Sequence, residues 1–195
     1  PSEENEGKEM LQIPLVIYRD KVSVDLGNLE NKDLEVEKPA ISTTARNEAT
    51  GNHYAQAGFV TVIDSVLYSG LKEQQEYLLR CTVMDRETQK PLEDPEGNPV
   101  RAEQAFTPPA SAGITEVECS FDAAKLQGRD IVLYEELYYK GKQIAVHQDI
   151  DDQGQTIHFP EIKTKAEDKA TGTDTAVAGK EITIVDTVSY KNLKP

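Results

Sequence analysis

The feature that most constrains this chain is a repeat within it. The segment PAISTTARNEATG at residues 39–51 returns as PEIKTKAEDKATG at 160–172, and VTVIDSVLYSGLK at 60–72 returns as ITIVDTVSYKNLK at 182–194. Self-similarity of this kind marks tandem copies of one structural unit. One full unit then spans about 39–160, and 161–195 is the truncated start of a second, so the chain reads as a fragment of something longer. Residues 1–38 form a partly extended segment, a linker or the tail of a preceding domain. Thr43 matches Thr164, and Asp64 matches Asp186. Tandem copies of one domain suit a fibre or stalk, where stacking supplies length rather than turnover.

Within the unit the signals are those of strands. Residues 59–68 are rich in β-branched side chains, 77–84 form a second run, and 102–107 a short one stopped by Pro108 and Pro109. Residues 113–121 alternate apolar and polar, as a strand with one buried face does. Residues 130–139 and 142–146 resemble a hairpin across Lys140 and Gly141, and 94–99 is a turn cluster. Residues 122–126 have the makings of one helical turn, but no long stretch has helical periodicity. Upstream, 1–8 is acidic and polar and expected to be disordered. Residues 11–26 hold one or two strands, through 15–18 and 22–26, while 28–38 is a linker or edge strand, and Pro39 fits the start of a domain. Short strands with frequent turns predict an all-β antiparallel sandwich.

The net charge of −14 argues against nucleic acid or an anionic membrane as partner. No apolar run approaches the ~20 residues that span a bilayer, and no sorting signal gives a location. Cys81 and Cys119 lie in strand-like runs without metal-ligand spacing and are expected as buried free thiols. A disulfide between neighbouring strands would need their Cα atoms within about 7 Å.

Chemistry-bearing residues concentrate at 147–156, HQDIDDQGQT. His147 and the carboxylates suggest acid/base work, and Gln155 is expected to begin the final strand. The histidine, the three carboxylates and the glutamine include no nucleophile; the candidate is Thr43 at the other end of the unit. Asp64, set among Val62, Ile63 and Val66, must face solvent or find a partner. Asp149, Asp151 and Asp152 could ligate calcium, but the spacing is no EF-hand and an acidic loop is more often simply solvated. No metal or cofactor is therefore assigned. His53 and His158 have no identifiable partners, and Tyr138 and Tyr139 are expected to pack on a sheet face.

Four motifs together carry a family resemblance. These are I-x-T-x-A at 41–45, VIDSVxY at 62–68, IVLYEEL at 131–137 and HxDIxDxxQT at 147–156. They resemble the Thr-Gln ester-bond domains, also called VaFE repeats, of Gram-positive surface adhesins and pilus-like stalks. The likeness covers 39–160 in full and 161–195 in part. It implies an Ig-like sandwich in which Thr43 on the first strand is joined to Gln155 on the last, assisted by His147, Asp64 and Glu135. Glu136 and Thr44 are the adjacent rivals of Glu135 and Thr43. The repeat favours Thr43, because its counterpart is Thr164 whereas that of Thr44 is Lys165.

On that resemblance, attack of Thr43 Oγ on the Gln155 amide carbon expels ammonia and leaves an ester, the acylation half of a serine-protease cycle performed once. His147 would move the protons. Asp64 and Glu135 would share one, and the protonated partner would bond the Gln155 carbonyl. Pairing of first and last strands would hold the reactants together. The implied role is a structural stalk module of a monomeric, cell-wall-anchored surface protein, partnered by adjacent repeats and an unnamed host ligand. It would be no enzyme beyond a single autocatalytic turnover. A binding module recognising a host protein or glycan is the alternative, and a hydrolase using Thr43 and His147 a third. Thr164 has no partner within its own unit and is expected to be unbonded, with 161–195 loosely ordered or completing a neighbouring sheet.

Overall fold

The computed structural model describes residues 38–179 and 181–194, and the backbone of three short strands before them. Those three, β1 (Val16–Tyr18), β2 (Lys21–Ser23) and β3 (Asp33–Leu34), form a small antiparallel sheet. They fall inside the segments expected to be extended; the acidic stretch 1–8 lies outside the described residues.

From residue 40 the chain builds an all-β sandwich of two antiparallel sheets. The first is β4 (Ala40–Asn47), β5 (Phe59–Ser69) and β9 (Gly113–Asp122), with β5 in the middle. The second centres on β6 (Tyr77–Asp85) and β10 (Asp130–Tyr139). Beyond β6 lie β7 (Lys90–Pro91) and β8 (Arg101–Phe106). Beyond β10, one after the other along its free edge, lie β11 (Lys142–His147) and β12 (Thr156–His158).

The core follows from period-2 alternation. On β9, Val117, Cys119 and Phe121 are buried while Glu116, Glu118 and Ser120 are exposed. The inward row of β5 is Val60, Val62, Asp64, Val66 and Tyr68; that of β10 is Ile131, Leu133, Glu135 and Leu137. The inward rows of β5 and β10 thus each carry one acid among apolar residues. The β10–β11 hairpin turns at Lys140 (φ +49°) and Gly141 (φ +75°), two left-handed residues matching the twist of a two-residue hairpin. Cys81 on β6 and Cys119 on β9 are free, buried and in opposite sheets rather than on neighbouring strands.

Three expectations are corrected. Residues 122–126 make no helical turn. Asp122 Oδ1 accepts the Ala124 amide, one Leu126 N to Ala123 O bond follows, and the chain then turns into β10. Such side-chain capture of a backbone amide competes with helix. Gln155 does not begin the last strand. It occupies the bend before β12, held by its amide to Asp152 O at 3.2 Å and its carbonyl to Leu133 N at 3.2 Å. Nor do the first and last strands pair, since β4 belongs to one sheet and β12 to the other. Those edges are joined instead by isolated backbone bonds: Ala45 N to Gly154 O at 2.8 Å, and, just after β4, His158 N to His53 O at 2.7 Å and Ala55 N to His158 O at 3.0 Å.

After Pro160, β13 (Glu161–Asp168) and β14 (Ile184–Lys191) form a two-stranded antiparallel sheet of their own. Among the described residues this hairpin completes no neighbouring sheet, contrary to that part of the expectation.

Candidate functional site

The site forms where the β4 edge of one sheet meets the β11–β12 edge of the other. Strand parity decides what enters it. On β4, Thr43 and Ala45 face inward while Thr44 faces solvent. On β10, Glu135 faces inward and is fully buried, whereas Glu136 faces outward and accepts a bond from Tyr138 Oη at 3.0 Å. Asp64 is set opposite Ala45 in the β4–β5 register, and His147 opposite Glu135 in the β10–β11 register. Residues directly opposite in an antiparallel pair share a face.

Gln155 ties these elements together. Its side chain is fully buried, and its Nε2 contacts Thr43 Oγ1 and donates to Asp64 Oδ1 at 3.1 Å. Thr43, Asp64, Glu135 and Gln155 are all buried, although the first and last are 112 positions apart in the sequence. Four polar atoms in the cluster, Gln155 Oε1, Asp64 Oδ2 and both Glu135 carboxyl oxygens, have no hydrogen-bond partner among the described residues. Buried polar groups are nearly always paired, so an unpaired set asks for an explanation.

The electrostatics match the burial. Desolvation, and then the charge of Asp64, push the Glu135 carboxyl up to about 9. Desolvation also raises Asp64, opposed by its bond from Gln155. Two buried acids in mutual contact cannot both ionise cheaply. At neutral pH Glu135 holds a proton and is able to donate.

His147 lies at the rim, about a quarter exposed, with its Nε2 2.7 Å from Asp152 Oδ2. An ionised Asp152 accepts only, so neutral His147 carries its proton on Nε2 and keeps Nδ1 as a lone pair. Asp152 is itself fixed. Its Oδ1 accepts the Gly154 amide at 2.7 Å, and its carbonyl accepts Thr156 Oγ1 at 2.7 Å. The 147–156 loop is therefore a rigid bracket that holds His147 at one end and Gln155 at the other.

The acids of that bracket have other partners than a cation. Asp152 bonds His147, Asp151 pairs with Arg86 at 3.1 Å, and Asp149 accepts the Asp151 amide at 3.0 Å. No group of three His, Cys, Asp or Glu among the described residues is arranged to hold a metal.

Two contributors were not legible in the sequence. Asp152 lay in the acidic loop, but nothing in the pattern separated it from Asp149 and Asp151. Cys81 stands opposite Glu135 in the β6–β10 register, and its thiol, pushed well up by the adjacent Cys119 and by burial, lines the acid's pocket as a neutral group. His53 and His158, expected to lack partners, have them: Nδ1 of His53 lies 3.0 Å from Thr156 O, and Nδ1 of His158 lies 2.9 Å from Asp130 Oδ1. Tyr138 lies under Arg80 on the outer sheet face, and Tyr139 stacks on Tyr77.

A hydroxyl, a carboxamide and two acids are thus buried together between the edges of an all-β sandwich. The chain belongs to the T-Q ester bond containing domain family, which matches residues 39–159 and again 160–195. Two crystal forms of a Mobiluncus mulieris adhesin, described as containing intramolecular disulfide, isopeptide and ester bond cross-links, share the fold. Each is 13% identical, covers 80% of this chain and 75% of that one, and superposes with a TM-score of 0.54. No curated protein matches the chain.

Proposed function

We propose that residues 39–160 are a stalk module of a bacterial surface adhesin, locked by an ester that Thr43 and Gln155 make without any other enzyme. The observation that carries this is the burial of a nucleophile against an amide, with Gln155 Nε2 touching both Thr43 Oγ1 and Asp64 Oδ1. Thr43 Oγ attacks the Gln155 Cδ, and the hydroxyl proton passes to His147. The carbonyl electrons move to Oε1, where the neutral Glu135 carboxyl supplies a donor to an oxygen that otherwise has none. Collapse breaks the Cδ–Nε2 bond, the amine takes one proton and leaves as ammonia, and an ester remains. Held geometry of this kind lowers a barrier by ~7–11 kcal/mol.

Burial also explains why the reaction stops there. Asp64, Glu135 and Gln155 have no solvent exposure, so water does not reach the acyl carbon to hydrolyse it. The same burial weighs against a hydrolase that turns over an external substrate. A surface cleft of about 730 Å³, between Asn47, Tyr54, Phe59 and Pro160, includes none of the five proposed residues. The domain's product is its own crosslink, which joins one sheet to the other near both ends of the fold. Load on a tandem array would then run through a covalent bond. The family match at 160–195 supports a second unit in series. On this reading adjacent repeats are the partners of a monomeric chain displayed at the wall of a Gram-positive cell.

Intact-mass measurement tests the proposal. The folded chain should be lighter than its sequence by one ammonia, and Gln155→Ala or Thr43→Ala should match calculated mass. A well-folded wild-type chain at full calculated mass would overturn it.

A further inference from the structure

Gly70 and Asn192 occupy the same place in the two copies of the repeat. Each follows the second strand of its hairpin with a left-handed backbone, φ +69° at Gly70 and +53° at Asn192. In the first copy the spot has no room for a side chain. A Cβ on Gly70 would stand 2.6 Å from the Lys38 carbonyl oxygen and 3.1 Å from Pro39 N. In the second copy the counterparts of Lys38 and Pro39 are Phe159 and Pro160, and a whole carboxamide fits beside them.

Asn192 Nδ2 lies 2.8 Å from Asp130 Oδ1, 3.1 Å from the Arg129 carbonyl and 3.5 Å from the Phe159 carbonyl. A turn that needs positive φ accounts for asparagine at this position, since asparagine tolerates that region. It does not account for three contacts to the preceding unit. All three partners are acceptors, so the pocket takes a donor of amide shape. Asp130 is itself held in place. His158 Nδ1 lies 2.9 Å from its Oδ1, and Arg86 reaches its Oδ2 at 3.7 Å.

We infer that Asn192 is a clamp that docks the second unit onto the end of the first through the acceptor pocket of Arg129, Asp130 and Phe159. The inference rests on reading 161–195 as the opening of a second unit. It adds that this junction is specific, with the side chain after β14 setting how successive units are oriented. The first copy, with Gly70 packed on the backbone of Lys38, lacks such a clamp.

The test is solution NMR of the full chain with residual dipolar couplings. In the wild type, couplings from 39–159 and from β13–β14 should fit one alignment tensor. Asn192→Gly keeps the left-handed turn but removes the amide. Asn192→Asp keeps the shape but turns a carboxylate toward three acceptors. Both should split the data into two tensors while cross-strand contacts between β13 and β14 persist. The clamp is overturned if wild type already needs two tensors, if both variants still fit one, or if the variants unravel the hairpin itself. The mass of the same samples reports the ester separately, so either idea can fail while the other stands.

Discussion

In the β4–β5 hairpin Thr43 stands opposite Val66 and Ala45 opposite Asp64; in the β13–β14 hairpin Thr164 stands opposite Val188 and Ala166 opposite Asp186. The two copies therefore share strand pairing, register and the placement of hydroxyl and acid. They differ in what covers them. Val66 is fully buried and Tyr68 nearly so, while Val188 is 54% and Tyr190 66% exposed. Asp64 is sealed from solvent, whereas Asp186 and Thr164 are open to it. The local motif is enough for the hairpin; the chemical environment comes from the second sheet. Without β10, β12 and the 147–156 bracket, an acid on this strand is an ordinary solvated carboxylate.

The largest effect expected from breaking this contrast is on stability. The proposed Thr43–Gln155 ester would tie together two positions 112 apart in sequence. By the loop-entropy argument it contributes on the order of 5 kcal/mol. For a domain of this size that is a fall in Tm of roughly 20 °C. Thr43→Ala and Gln155→Ala should each produce it in calorimetry, and Thr43→Ser, which keeps a hydroxyl, should recover most of it. A Thr43→Ala protein that melts with wild type would show that the buried cluster is not crosslinked.

Next comes the acid on β10. Replacing Glu135 by Gln keeps the volume but weakens the donor, and should slow ester formation by roughly 10²- to 10³-fold, the scale of losing one oxyanion donor. Mass against time after refolding measures it. The raised carboxyl also leaves a mark in the uncrosslinked background. Glu135 holds its proton up to about 9 when folded, but only to the ordinary glutamate range when unfolded. Between those limits the folded state binds more protons, so stability falls as pH rises. Thr43→Ala should therefore lose stability from about pH 4.5 to about 9, and adding Glu135→Gln should flatten that slope.

How much of this was legible beforehand depended on whether period-2 parity or loop geometry held the answer. Alternation is written directly into the residues, so the strands and the sandwich were readable. Parity also put Thr43 and Thr44, or Glu135 and Glu136, on opposite faces, but it did not say which face was inside. Thr43 was favoured by the repeat and Glu135 by the family resemblance, and Asp64 was left to face solvent or find a partner. The second sheet settles the faces by burying Thr43, Asp64 and Glu135, and the loop needed still more. That Gln155 sits in a bend before β12 and not on it, and that the end strands lie in opposite sheets, depends on backbone bonds from Leu133, Ala45 and Asp152 that no spacing encodes. Asp152 was invisible for the same reason. Three acids in a row of six residues look alike until the turn aims one of them at His147.

That aiming gives a graded prediction. A general base contributes about 10²- to 10⁴-fold. His147→Ala should slow ester formation within that range. Asp152→Asn should slow it less and change its pH profile, because an asparagine carbonyl still accepts from Nε2 but no longer supports the charged imidazole. A merely structural Asp152 would lower stability through the lost Gly154 bond and leave the pH profile unmoved. The two readings therefore separate on the profile rather than on the rate.

The smallest expected effect sharpens the comparison most. Thr164→Ala removes the counterpart of the nucleophile, at an exposed position whose carboxamide partner has no equivalent in β13 or β14. It should change neither the mass deficit nor the melting of residues 39–160 beyond the ±0.5 kcal/mol usual for surface substitutions. If it abolished the deficit, the ester would belong to the second threonine. The argument from burial would then be reversed: an uncovered hairpin would be chemically competent, and the sheet that seals Thr43 would be irrelevant to the reaction. If the deficit survives Thr164→Ala and vanishes with Thr43→Ala, matching motifs in the same register behave differently, and the covering sheet is the variable that separates them.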